Sequence, residues 1–242
     1  MTLADDVRAA LAAHADAGRA GPMQAYMKSA LPFLGLPTPL RRQVVKQAAM
    51  GQLCTDAPAL SQVLLDLWRH ARHREERYAA LDLLRLNPHR RLIGLALLPT
   101  VTELLRTDPW WDFNDEISGS VLPLLLQRHP AEMKTQLRQW ARGSELWLRR
   151  AAMLAQRALK PAVFDAPLFY DCILPSVGDP RFEREFFIKK GMGWALRERA
   201  YDAPEEVRAF CREYGPQLSP LTRREALRVI DGRTSSAAPA PP

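Results

Sequence analysis

Cysteine is scarce. The 242 residues include three, Cys54, Cys172 and Cys211, odd in number, far apart and without a CxxC spacing, which excludes a disulfide framework and a zinc knuckle. No apolar run approaches the roughly 20 residues that a membrane-spanning helix needs, so no membrane partner is expected. The first twenty residues carry two early acids, Asp5 and Asp6, and lack the basic start and apolar block of a signal peptide. The compartment they suggest is the cytoplasm. No run of β-branched residues bounded by turns offers a strand. There is no GxxxxGK[ST] loop and no GxSxG elbow, and the pair Gly191-Met192-Gly193 lacks the strand and third glycine of a dinucleotide loop. His70, His73 and Glu76 are spaced to touch one ion but lack a fourth ligand, and read as an exposed basic helix end. Neither a metal nor an organic cofactor is expected.

Lysine is also rare: six of the 34 basic residues, so arginine carries the net charge of +7. An arginine fork donates two parallel hydrogen bonds to a phosphate, which makes an arginine-rich basic chain a candidate for nucleic-acid binding. A GC-rich coding sequence would produce the same bias. Apolar residues recur at three- and four-residue spacing throughout, interrupted at Gly21-Pro22, Pro37–Pro39, Asp56–Pro58, Asn87-Pro88, Asp108-Pro109, His129-Pro130, Gly143-Ser144, Gly178–Pro180, Ala203-Pro204 and Gly215-Pro216. This rhythm predicts an all-α chain of roughly a dozen helices, ordered as a curved solenoid of antiparallel helical repeats. One domain is expected over residues 1–232, and the Ser/Ala/Pro stretch 233–242 has too little to bury to be more than a disordered tail.

Three helix faces carry something other than core. A helix opening at Asp108-Pro109, with the acid as N-cap, would place Trp111, Asp115 and Ser118 on one stripe and Phe113, Ile117 and Leu124 on the other, apolar side. Asp115 lies beyond the first turn, so the helix dipole does not account for it; a solvated or salt-bridged surface acid does. Over 182–200, Lys190, Trp194 and Arg197 oppose Ile188, Met192 and Ala195. Over 144–159, Arg150 and Arg157 project together, away from Leu148, Ala152, Ala155 and Leu159.

The residues on these faces fall in a colinear series of blocks: PFLGLPTPLRR (32–42), ERYAALDLL (76–84), WWDFND (110–115), WLRRAAML (147–154), FFIKKGMGWALRE (186–198) and LSPLTRREALRVI (218–230). The series resembles the bacterial DNA alkylation-repair glycosylases of the AlkD type. That resemblance implies HEAT-like repeats curved around duplex DNA, and excision of cationic N3- and N7-alkylated purines without extruding the base. It implies a catalytic role for Asp115 with Trp111 and Trp194, and DNA contacts from Tyr26, Arg150, Lys190 and Arg197. It also implies a monomer whose partner is alkylated duplex DNA. Asn114 and Gly191 depart from the family's habit of a small or aliphatic residue and an alanine; a glycine there would weaken its helix by up to about 1 kcal/mol. Two other classes fit the helical rhythm: a non-catalytic DNA-binding solenoid that recognises distorted duplex, and a protein-interaction scaffold, which would need an apolar groove where arginine and indole stand.

Overall fold

The computed structural model describes residues 2–182 and 184–236. Among them are fifteen α-helices, four short 3-10 turns and no strand, an all-α helical-repeat fold. The chain forms two compact units, Met1–Asp108 and Pro109–Pro242. The last helix runs to Ser236 and so takes in the first residues of the expected tail; 237–242 lie outside the described residues.

The first unit contains α1 (Leu3–Ala13), α2 (Ala17–Met27), α3 (Thr38–Ala49), α4 (Ala57–Arg69), α5 (Arg74–Arg85), α6 (Asn87–Leu92) and α7 (Leu98–Arg106). α1, α3 and α5 pack in sequence, and α4 lies against α5 and α7. Three starts are capped by side chains, with Thr2 and Asp5 in a capping box and Asp16 and Asp56 as N-caps. Leu60, Leu64, Leu67 and Trp68 recur at helical spacing and fill the core. Gly21-Pro22 does not break the chain: Pro22 lies inside α2, whose φ it suits, and the lost hydrogen bond is tolerated on a short helix that buries only Met27. The PFLGLP block is held by the buried Glu75 carboxylate, which accepts hydrogen bonds from the amides of Leu34, Gly35 and Leu36 at 2.8–3.2 Å. Gly35 sits at φ +91°, and a Cβ there would lie 2.1 Å from the Asp16 carbonyl oxygen. His70 pairs with Asp66, and Glu76 accepts from the His73 amide and from Arg8. All three residues of the histidine cluster thus serve helix ends and inter-helix ties.

The second unit contains α8 (Trp111–Ser120), α9 (Leu122–Arg128), α10 (Pro130–Arg142), α11 (Leu146–Leu154), α12 (Ala166–Ile173), α13 (Phe186–Asp202), α14 (Pro204–Glu213) and α15 (Pro220–Ser236). One layer runs α8, α11, α13, α15, each packed on the next, and a second runs α9, α10, α12; α14 backs α13 and α15. Ile188, Met192, Ala195 and Leu196 of α13 meet Ala226 and Ile230 of α15 in the core. Phe113 and Ile117 are buried as expected, but Leu124 is only half-buried. The helix stops at Ser120 and α9 restarts at Leu122, with Pro123 in its first turn, so the stripe loses its phase.

Candidate active site

α8 starts two residues later than the sequence suggests. Asp108 is not its N-cap: it adopts φ +45°, precedes a proline that disfavours the helical region, and gives its carboxylate to Arg77. Trp110 is the N-cap, extended at φ −148°, and no side chain caps the helix. Its indole packs on Trp147 and Phe187 with centroids 6.2 and 5.3 Å away, and this aromatic contact fixes where the helix begins. Trp110 Nε1 is buried and finds no hydrogen-bond partner among the described residues. Asn114, the departure on this helix, is buried and donates to the Trp147 carbonyl at 2.8 Å, tying α8 to the first turn of α11. Ser118 is buried as well, so the stripe that leaves the core is Trp111, Asp115 and Gly119.

On that stripe the Asp115 carboxylate is gripped by Arg150 of α11. Nε and Nη2 donate to Oδ1 at 3.1 and 2.8 Å, and Nη2 also reaches Oδ2 at 3.1 Å. Nη1 donates to the Phe187 carbonyl at 2.6 Å, which leaves the guanidinium side chain 3% exposed. In the free protein the Arg150 cation, expected from the sequence to contact DNA, is buried and bonded to Asp115 and Phe187. Gly191 makes the grip possible. A Cβ there would lie 2.8 Å from Arg150 Nη1, over the carbonyl of the residue one turn earlier. Burial raises the Asp115 carboxyl above its ordinary value, against the opposing pull of Arg150 and then Arg157.

Trp194 of α13 donates from Nε1 to Glu198 at 2.9 Å, and Arg157 stacks on its ring with Cζ 4.1 Å from the centroid. One π face of Trp194 is therefore already covered. Lys190 and Arg197 of the same helix both donate to Glu225 of α15, at 2.7 and 2.6 Å. The cationic face expected on α13 thus has an acid at its centre, and it is α15 that supplies it. Gly193 allows the close approach: a Cβ would lie 2.7 Å from Glu225 Cβ and 3.0 Å from the Thr222 carbonyl oxygen. Tyr26 lies on α2 in the first unit, 79% exposed. Glu225, Gly119 and the partner of Arg150 escape sequence reasoning because each acts across helices. Of these only Gly119 left a signal, as a residue unfavourable to the helix that holds it. No group of three or more potential metal ligands occurs among the described residues.

A helical-repeat protein whose second unit presents one arginine-held carboxylate beside indoles and further cations is suited to an anionic polymer. The family model for DNA alkylation repair enzyme matches residues 7–230, so the chain belongs to that family. Among solved structures it is similar to a predicted DNA alkylation repair enzyme from Enterococcus faecalis, with 25% identity, a TM-score of 0.73, and coverage of 89% of this chain and 96% of that one. A search of the curated proteins found no match.

Proposed function

We propose that the protein is a DNA glycosylase that hydrolyses the N-glycosidic bond of N3- and N7-alkylated purines in duplex DNA without extruding the base. Such a purine is already cationic. When the bond from C1′ breaks, the electron pair leaves with the base, which becomes neutral, and no general acid is required. Positive charge passes to the deoxyribose as an oxocarbenium ion, which one fixed carboxylate can stabilise; ordinary glycoside hydrolysis recruits two. Water then adds its oxygen to C1′ and gives up a proton, for which Asp115 is the acceptor. The observation that carries this reading is the grip on Asp115: Oδ1 takes two of the three Arg150 bonds and Oδ2 one, which leaves Oδ2 the more open to a cation or a water. Opposite charges about 4 Å apart at an effective dielectric near 20 attract by about 4 kcal/mol, about three powers of ten in rate if the attraction is confined to the transition state. Trp111, one turn before Asp115, and the uncovered face of Trp194 would bracket the sugar. Lys190 and Arg197 would meet phosphates, with Tyr26 a further DNA contact on the first unit.

The test is release of 7-methylguanine from duplex under single turnover, for the wild type and for Asp115→Asn. The variant keeps size and hydrogen-bonding capacity but loses the charge, so excision should fall by roughly 10² to 10³ with helicity and duplex affinity retained. If a folded Asp115→Asn protein excises at the wild-type rate, the assignment is wrong. If the wild type binds duplex but releases no base, a non-catalytic recognition protein is the better description.

A further inference from the structure

Arg157 follows the end of α11, and its environment is unusual for a guanidinium. It is half-buried, its Nε is fully buried without a hydrogen-bond partner, and no acceptor among the described residues takes any of its side-chain N–H groups. It stacks on the Trp194 ring and lies close to the bare backbone of Gly119. A Cβ on Gly119 would lie 2.6 Å from Nη2. Burial pulls its pKa down, and Asp115 is the strongest of the charges that pull it back up. A buried donor with no acceptor on a partly desolvated cation is costly, and groups of this kind are ordinarily matched by an acceptor. Arg150 is buried as well and also lies over a glycine, but its donors are taken by Asp115 and by the Phe187 carbonyl.

We propose that Arg157, rather than Arg150, is the cation that takes the backbone phosphate beside the lesion, and that this phosphate switches on Asp115. The inference rests on the glycosylase reading for its second half only. In the free protein, Asp115 faces two arginines, and the second would oppose a cation growing on the sugar. A phosphodiester carries one negative charge. Bonded to Arg157 it cancels that opposition, while Arg150 continues to hold the carboxylate in place, so the full field of Asp115 is presented only when the nucleotide backbone is seated. Arg157 is thus a binding residue for the phosphate and, through Asp115, a positioning residue for the reaction.

The test measures binding of the full-length protein to a labelled duplex carrying a tetrahydrofuran abasic analogue, which cannot be excised, across a range of salt. Arg157→Gln should weaken binding about 10- to 100-fold, as expected for removal of a charged hydrogen bond. The slope of log affinity against log salt should also become shallower by about 0.9, as it does when one phosphate fewer is neutralised. Arg157→Lys should restore the slope. Neutral methylphosphonates placed one at a time around the lesion should reveal a position that weakens the wild type and to which Arg157→Gln is indifferent. Equal penalties for both proteins at every position, or an unchanged slope in the Gln variant, would show Arg157 to be a packing partner of Trp194 only. If Arg157→Gln fails to fold, the wild-type methylphosphonate scan decides alone: no sensitive phosphate beside the lesion overturns the proposal. Because the duplex is not a substrate, these results stand whether or not 7-methylguanine is released in the separate excision assay.

Discussion

A carboxylate that must stay ionised beside a cationic sugar is usually helped by a neighbouring arginine and hindered by burial, and at Asp115 burial prevails. Its carboxyl is raised above the ordinary value of 3.8, so on acidification it takes up a proton earlier than an exposed aspartate would. Excision should therefore decline on the acid side at a pH above the ordinary aspartate range, with the alkylated base cationic throughout. Arg150 opposes the rise, and Arg150→Gln should move the acid limb to still higher pH while lowering the plateau. Single-turnover rates from mildly acidic to neutral pH check both; a limb at the same pH in both proteins would mean that another group sets it.

At the scale of elements, three glycines act by letting something else come close, and they should respond differently to alanine. Gly193→Ala gains about 1 kcal/mol of helix propensity but forces a Cβ against the Thr222 carbonyl and Glu225 Cβ, where backbone cannot yield. Overpacking of about 1 to 3 kcal/mol should win, and urea unfolding should show a lower midpoint. Gly191→Ala meets only the end of the flexible Arg150 side chain. The gain in helix propensity is set against a buried guanidinium pushed off the Phe187 carbonyl, so stability should fall modestly, and excision should fall as Asp115 shifts with Arg150. Gly35→Ala combines positive φ with an approach to the Asp16 carbonyl that no Cβ can share. It should destabilise the first unit by more than about 3 kcal/mol, seen in the same denaturation series.

For the molecule as a whole, 34 basic against 27 acidic residues make DNA binding a counterion-release process. If four to six phosphates are neutralised, the affinity of the wild type should fall with salt at a slope of roughly −4 to −5, with little dependence on sequence. A slope near zero, measured by anisotropy, would instead favour a protein-interaction scaffold. Base release should be unchanged by chelator, and loss in EDTA that zinc or magnesium restores would return attention to His70 and His73.

Helicity, capping and the apolar stripes follow from local periodicity, which is why α3, α4, α10 and α14 begin where proline and aspartate mark them. The same periodicity isolates Trp111 and Asp115 from the core, since one helix face is visible in one stretch of chain. It cannot say which charge meets which. Arg150 joins Asp115 across 35 positions and Arg197 joins Glu225 across 28, each pair on different helices. Whether an arginine projects to solvent or into an acid on the neighbouring helix depends on how the layers stack. Cys54, Cys172 and Cys211 are free thiols. The sequence alone determined an all-α repeat chain with a basic charge and a lone acid beside an indole. The packing of α8, α11, α13 and α15 decided that Arg150 serves the acid and that the Arg157 guanidinium rests on Trp194 without a hydrogen-bond acceptor, because ionic partners are chosen by distance in space, which helix-on-helix contact sets.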